Sequence, residues 1–436
     1  MTPLVEIGVV FVVFLGLLAV GLAVPFAIGV PALVYLLLHG GLPALKGLGL
    51  VSWGSMNSFT LTAIPLFILM AELIQRSGLG HRTYVGLAKL VAPIPGGLLQ
   101  TNIASCAMFA AINGSSVATS AAIGSVAYPQ LQKRGYRASL SAGSLAAGGT
   151  LGILIPPSLA MIVYGSFTET SVAKLFMAGV IPGLLLTLMF MIYIGAHALM
   201  RPGDAPREQG PRNSGEFFRA VGDILPFVLL IGGTMGTLYL GLATPTEAAA
   251  LGCLLSIVVS KIWGNLDWSV FRDSLTNATR SVGNLLFIIY AAYIFAYAIS
   301  VAGVGEQVTS YVVGLKLSRI GFFVALFVLY TVLGCLVESF GMIVITVPLL
   351  YPVLVSYGID PVWFGIILVV FIELGQISPP IGINLFVIQS ISRGKFSDVV
   401  LGTVPFHLIM FVLLFLLVLF PQIALWLPAH MMGTVR

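Results

Sequence analysis

Two stretches of this chain place hydroxyls, an amide and interrupted backbone inside apolar sequence. Gly148 to Ser158 reads Gly-Gly-Thr-Leu-Gly-Ile-Leu-Ile-Pro-Pro-Ser, and Glu373 to Asn384 reads Glu-Leu-Gly-Gln-Ile-Ser-Pro-Pro-Ile-Gly-Ile-Asn. Each Pro-Pro pair removes two backbone donors and clashes with the preceding turn, so no uniform helix runs through it. Broken backbone at membrane depth is tolerated only inside protein or along a wet cavity, where the freed carbonyls become ligands. A second polar element precedes each break: Asn113-Gly-Ser-Ser116 and Val337-Glu-Ser-Phe340. Ser116 stands 40 residues before Pro156, and Ser339 stands 40 before Pro379. Hydroxyl and carbonyl oxygens without fixed charge suit an alkali cation that must bind and leave. The equal spacing predicts two related cation sites. Asn113, Ser115, Ser116, Gly152 and Pro156 form one; Glu338, Ser339, Gly375 and Ser378 form the other. Helices restarting after the prolines aim positive ends at the same region, which favours an anionic ligand. Thr119, Pro157, Ser158, Pro380 and Asn384 are its expected contacts. The competing readings are close helix packing by small residues and helix capping by Ser158.

Four acids lie near or within apolar segments: Glu72, Glu247, Glu338 and Glu373. Such residues are functional candidates by default. Glu72 has Arg76 four residues on, the spacing of a structural pair. Glu247 follows Thr244-Pro-Thr, which reads as a helix start with an acid in its first turn. Glu338, at a polar tip, is a cation ligand or a proton site.

These elements need a membrane around them. Of 436 residues, 58% are hydrophobic and 8% charged, against about 25% charged in soluble domains. The chain is expected to be an all-α polytopic membrane protein in a lipid bilayer. The net charge of +5 reflects loops, not nucleic-acid binding. Glu6 stands where a cleaved leader would carry basic residues. Cys106, Cys253 and Cys335 have no paired spacing and read as small buried hydrophobes. The five histidines are scattered near span ends, which argues against a metal centre and against an enzyme.

The chain also repeats. Gly21-Leu-Ala-Val-Pro25 matches Gly241-Leu-Ala-Thr-Pro245, Tyr128-Pro129 matches Tyr351-Pro352, and Pro182 matches Pro405, at offsets of 220 and 223. Ordered matches at one offset mark an internal repeat. The first repeat covers 1–200, with a re-entrant hairpin at 98–130 and a broken helix at 139–164. A polar linker at 201–223 follows. The second repeat covers 224–436, with a hairpin at 321–353 and a broken helix at 361–390. Apolar spans end near Leu38 and Ile74, with a soft Gly-rich segment to Asn57 between them and a short basic segment after. Five crossings per half is an odd number, so the halves are inverted in the membrane. Placing both termini outside puts every Lys and Arg inside except Lys46, Lys174, Lys316, Arg319 and Arg436. Lys316 and Arg319, flanking the second hairpin, are the discordant pair. Inverted repeats with broken helices are the architecture of secondary transporters, with sites near the midplane. The hairpins and broken helices are expected to move as one body against the remaining spans.

Five stretches carry a resemblance: Ile64-Pro-Leu-Phe-Ile-Leu-Met-Ala-Glu-Leu73, Asn113-Gly-Ser-Ser-Val-Ala-Thr119, Gly148 to Ser158, Thr244-Pro-Thr-Glu-Ala-Ala249 and Ser378-Pro-Pro-Ile-Gly-Ile-Asn384. Together they resemble the large membrane subunit of TRAP transporters, the DctM type, across essentially the whole chain. The resemblance implies Na⁺-driven uptake of organic acids, such as C4-dicarboxylates, across a bacterial inner membrane by an elevator movement, with no cofactor beyond the coupling ion. It implies two partners: a small four-helix membrane subunit (DctQ type) and a periplasmic substrate-binding protein (DctP type). In such a membrane, the charge count's placement of both termini outside makes them periplasmic. The chain begins at its first span, so the small subunit is expected as a separate polypeptide. The alternative is a stand-alone cation-coupled anion transporter of the wider ion-transporter class, which would work without a binding protein.

Overall fold

The computed structural model describes residues 3–91, 93–208, 210–211 and 213–431, with side chains from residue 8 onward. Arg212, Arg436, both chain ends and the Glu6 side chain lie outside the described residues. The described chain is all helical, without a strand. The first part comprises α1 (Pro3–Ala19), α2 (Val24–Met56), α3 (Ala63–Arg76), α4 (Leu79–Val91), α5 (Leu98–Asn113), α6 (Ser116–Lys133), α7 (Ala138–Leu154), α8 (Leu159–Thr168) and α9 (Val172–Met200). After the linker come α10 (Ser214–Tyr239), α11 (Pro245–Trp263), α12 (Trp268–Val301), α13 (Val304–Gly314), α14 (Arg319–Gly334), α15 (Ser339–Ser356), α16 (Pro361–Gln376), α17 (Ile383–Ser392), α18 (Phe396–Leu419) and α19 (Gln422–Met431). Among the described residues, eight helices are long and apolar enough to cross a membrane, or nine if α3 and α4, bent by 68°, form one span. The chain is a multi-pass membrane protein.

The helix-turn-helix elements fall where the polar tips and prolines place them. α5 and α6 meet at Gly114-Ser115; α14 and α15 meet at Cys335 to Glu338. α7 stops before Pro156-Pro157 and α16 before Pro379-Pro380, and both prolyl–prolyl bonds are cis. α7 and α16 form the centre of the molecule: Leu140 to Leu154 and Val362 to Gln376 are buried without interruption. A helix apolar all round belongs in such a place, and it brings both breaks into the interior. α18 lies along α7. Their backbones touch where Gly143 meets the Gly402 carbonyl, an approach that small residues permit.

Some elements differ from the sequence expectation. The soft segment after Leu38 is helical: α2 is interrupted only at Gly41 (φ 61°), and Pro43 opens a second apolar stretch that reaches Met56. α12 pins that stretch, through Tyr297 donating to the Ala44 carbonyl at 3.2 Å and Ser52 meeting Tyr290 at 2.8 Å. The basic segment after Ile74 is the amphipathic helix α4. The last residues of the 201–223 linker belong to α10, which starts at Ser214 behind an Asn213 cap. α15, expected as the return arm of a hairpin, is itself long and apolar enough to cross a membrane.

Loops assigned to one side by charge are in contact. Arg82 pairs with Asp223 at 2.5 Å and donates to the Trp263 carbonyl; Arg134 pairs with Glu208 and Arg137 with Asp204. At the other end, Thr246 donates to the Phe59 carbonyl, and one groove is shared by Phe59, Glu169 and Thr244. The discordant Arg319 lies 5.3 Å over the Trp363 ring, a cation–π contact that gives it a structural reason to be there.

Asp204 is the hub of the linker. It bonds His197 at 2.9 Å and Arg137 at 3.1 Å, and these hydrogen bonds hold its carboxyl below the usual carboxylate range. A depressed folded-state pKa adds stability above the ordinary value, and that stability is lost as pH falls through the lowered one. Asp204→Asn is therefore expected to lower the thermal midpoint slightly at neutral pH, by under about 1 kcal/mol for so exposed a pair. The gap to the parent protein should close on acidification. A gap that stays constant in melts across the acid range contradicts this.

Candidate functional site

The first tip is built from α5, α6 and the break between α7 and α8. Gly114 ends α5 in the left-handed region (φ 60°), where glycine costs least. Its carbonyl accepts from the Leu159 N–H at 3.3 Å, which ties the tip to the start of α8. Ser115 caps α6 by accepting from the Ala118 N–H at 3.4 Å. A Cβ on Gly152 would stand 2.5 Å from the Ser115 carbonyl and 2.8 Å from the Ser116 Cα. The end of α7 thus presses directly on the tip. Pro156 and Pro157 deprive the Gly152 and Ile153 carbonyls of their usual donors four residues on. The structure therefore brings Asn113, Ser115, Ser116, Gly152 and the Pro157 carbonyl together, with Pro156 behind them against Gly179.

The second tip meets its break in a similar way. A Cβ on Gly375 would fall 2.8 Å from the Gly334 Cα and from the Tyr330 carbonyl. Cys335 donates to the Pro379 carbonyl at 3.5 Å. Glu338 stands at the N-cap of α15 without a capping bond. Ser378 donates to the Leu374 carbonyl at 2.7 Å and meets His407 Nε2 at 3.3 Å. The two breaks are not equivalent. Pro156 and Pro157 are buried under the first tip and α9, whereas Pro379 and Pro380 are exposed. Pro380 is thus an open surface position, while its expected counterpart Pro157 is interior.

Gln376 joins the tips. Ser116 donates to its Oε1 at 2.5 Å, and its Nε2 donates to the Ser339 hydroxyl. One side chain on α16 therefore holds serines from both halves of the chain. Both tips also line one cavity of about 310 Å³. Asn113, Ser115, Leu159 and Glu338 form part of its wall, facing Glu72 of α3 and Ser281 and Asn284 of α12. Glu72 bonds Arg76 at 2.9 Å, as its spacing indicated, and stands in this wall as well. Glu247 completes a capping box with Thr244.

Several polar residues in or behind the cavity wall are short of partners. Thr119 Oγ1, Asn113 Nδ2 and both amide atoms of Asn384 are buried without a hydrogen-bond partner, and so are both oxygens of Glu373. Ser116 directs its proton to Gln376 and not to Glu373. Ser158 caps α8 by accepting from the Met161 N–H at 3.4 Å, and its O–H remains available to donate. Asn384 sits in the first turn of α17, which lies against α6 near Gly124. Buried polar groups normally find partners. These unpartnered groups, hydroxyl, amide and carboxyl, lie near the two helix breaks.

Gln376, Ser281, Asn284 and His407 were missing from the sequence-based set. Gln376 stands inside the Glu373–Asn384 stretch, yet only the fold reveals that it reaches both tips. Ser281 and Asn284 share an (i, i+3) face before the apolar run of α12, which is a readable signal. The placement of histidines near span ends fails for His407, which sits in the middle of α18 because that helix crosses the second break.

The fold matches a solved membrane transporter, described as the Alcanivorax borkumensis YdaH transporter with an unusual topology. The TM-score is 0.64, with 17% sequence identity, covering 88% of this chain and 90% of that one. The class is thus a multi-pass, all-α membrane protein of that fold. Residues 11–423 match the family model for the DctM component of the tripartite ATP-independent periplasmic transporter, and the chain belongs to that family. It is 32% identical to the C4-dicarboxylate TRAP transporter large permease protein DctM of Vibrio cholerae over 98% of both chains. It is also 32% identical to the isethionate TRAP transporter permease protein DctMQ of Oleidesulfovibrio alaskensis, over 96% of this chain and 66% of that protein.

Proposed function

We propose that this chain is the permease subunit of a sodium-coupled secondary transporter in the bacterial inner membrane. It takes up an organic acid, a C4-dicarboxylate or another carboxylate, delivered by a periplasmic binding protein of the DctP type. A small four-helix membrane subunit of the DctQ type completes the assembly. The observation that carries this reading is the single cavity walled by both polar tips, each resting on its own broken helix.

The chain's residues divide the work. Neutral oxygens at Asn113, Ser115 and Ser116, with the carbonyls near Gly152 and Pro156, hold one Na⁺. Glu338, Ser339, Gly375 and Ser378 hold the other. Thr119, Ser158 and Asn384, with the positive first turns of α8 and α17, orient the carboxylate. Pro157 and Pro380 shape the approach to it. Two inverted repeats supply the two halves of this arrangement.

The test is uptake of a labelled C4-dicarboxylate into proteoliposomes holding the assembled transporter, with its binding protein outside. Uptake is expected to require an inward Na⁺ gradient and to fall to background when K⁺ replaces Na⁺. Undiminished uptake under a proton gradient without Na⁺ overturns the coupling and returns Glu338 as a proton carrier.

A further inference from the structure

We infer that Gln376 is the positioning residue that couples the two cation sites. Its side chain is fully buried, and its amide spans from Ser116 at the first tip to Ser339 at the second. Those serines are 223 residues apart in sequence and share no other bridging side chain among the described residues. The direction of the bonds matters. Ser116 gives its proton to Gln376, which turns the serine oxygen's lone pairs toward the cation. Ser339 accepts from the amide with one lone pair and keeps another for its own cation. Neither bond blocks the ion; each fixes a ligand in place.

The bridge makes the ordering of the tips a shared event. A cation that fixes Ser116 fixes Gln376 on α16, and Gln376 fixes Ser339. The entropy of ordering the second tip is then already spent when its cation arrives, which is positive cooperativity without a change of shape. Bonds in such a chain also polarise one another. The neighbouring break supports the geometry: Gly375 lies against Gly334, so the end of α16 is in backbone contact with the end of α14, beside the second tip. The corresponding position in the first half is Ile153, which has no polar side chain. The coupling therefore runs through one residue and not through a symmetric pair.

This inference rests on the reading that the tips bind Na⁺, and the experiment separates the two. Uptake in proteoliposomes is measured against Na⁺ concentration for the parent protein, Gln376→Met and Gln376→Glu. Methionine keeps the length and loses both bonds; glutamate keeps the acceptor for the Ser116 hydroxyl and holds Ser339 by the reversed bond, with the Ser339 O–H donating. The parent curve is expected to be sigmoidal, with a Hill coefficient approaching two. Gln376→Met should flatten it toward one and raise half-saturating Na⁺ by about tenfold, within the usual range of coupling between sites. Gln376→Glu should restore the sigmoid shape. Parent-like shape and half-saturation in Gln376→Met overturn the inference, as does a hyperbolic parent curve. If Gln376→Met fails to reach the membrane, Gln376→Asn decides, since it keeps a polar amide but is one methylene too short to span from Ser116 to Ser339: a hyperbolic curve upholds the bridge and a parent-like sigmoid curve overturns it. Uptake that ignores Na⁺ in the parent protein refutes the cation sites themselves and the coupling with them.

Discussion

Replacing Asn384 with leucine is expected to raise the unfolding temperature of the solubilised protein while removing transport. Asn384 is fully buried, and neither its Nδ2 nor its Oδ1 has a partner. An amide in that position forfeits its hydration and receives nothing in return. Leucine fills nearly the same volume without polar atoms, so relief of about 1–3 kcal/mol is expected. In a chain of this size that shifts the melting midpoint by roughly 2 °C or more. The cost falls on function. In the proposed site the amide and the first turn of α17 together receive the carboxylate. A hydrogen bond to a charged group is worth about 1.5–3 kcal/mol, so uptake should fall by about tenfold to a hundredfold. Substrate present during the melt should stabilise the parent protein and leave the variant unmoved. A variant that melts lower and transports less indicates a packing role for Asn384. One that melts higher and transports normally removes it from the substrate path.

The local devices of this fold were legible because they depend on residue type. Pro156-Pro157 and Pro379-Pro380 end α7 and α16 wherever those helices lie. Gly114 and the Thr244/Glu247 pair announce a turn and a cap by chemistry alone. The equal spacing of Ser116 to Pro156 and Ser339 to Pro379 already hinted that each tip would rest on its own break, and the contacts at Gly152 and Gly375 are those of such a pairing. What escaped the sequence depends on three dimensions. Gln376 is one polar residue at the end of a buried helix, and its reach to both tips follows from where α6 and α15 begin. The exposure of Pro380 against the burial of Pro157 reflects how differently the two breaks are covered, and the Pro-Pro pair that both breaks share does not reveal it. His407 looked like one of several scattered histidines because nothing in the pattern of α18 shows which break it crosses. The continuation of α2 past Gly41 was hidden by glycines that read as a loop, although the tyrosines of α12 hold that segment helical.

Movement of the tips and broken helices as one body against the remaining spans is the central claim. The cavity supplies the positions for its test: Ala118 follows the first tip on α6, and Ala71 faces it from α3 across the same space. The hairpins rely on the broken helices for their backbone partners, as Gly114 does on Leu159, so their irregular segments stay covered only if they travel together. The measurement begins with Cys106, Cys253 and Cys335 replaced. Serine suits Cys335, whose thiol donates to the Pro379 carbonyl. Cysteines at Ala71 and Ala118 are then joined by a short reducible bifunctional reagent, and dicarboxylate uptake is followed before and after reduction. A crosslink formed in good yield is expected to stop uptake completely, and reduction to restore it. Full uptake with the crosslink in place would mean that α3 and the first tip do not slide past each other, and the two-body account would be wrong.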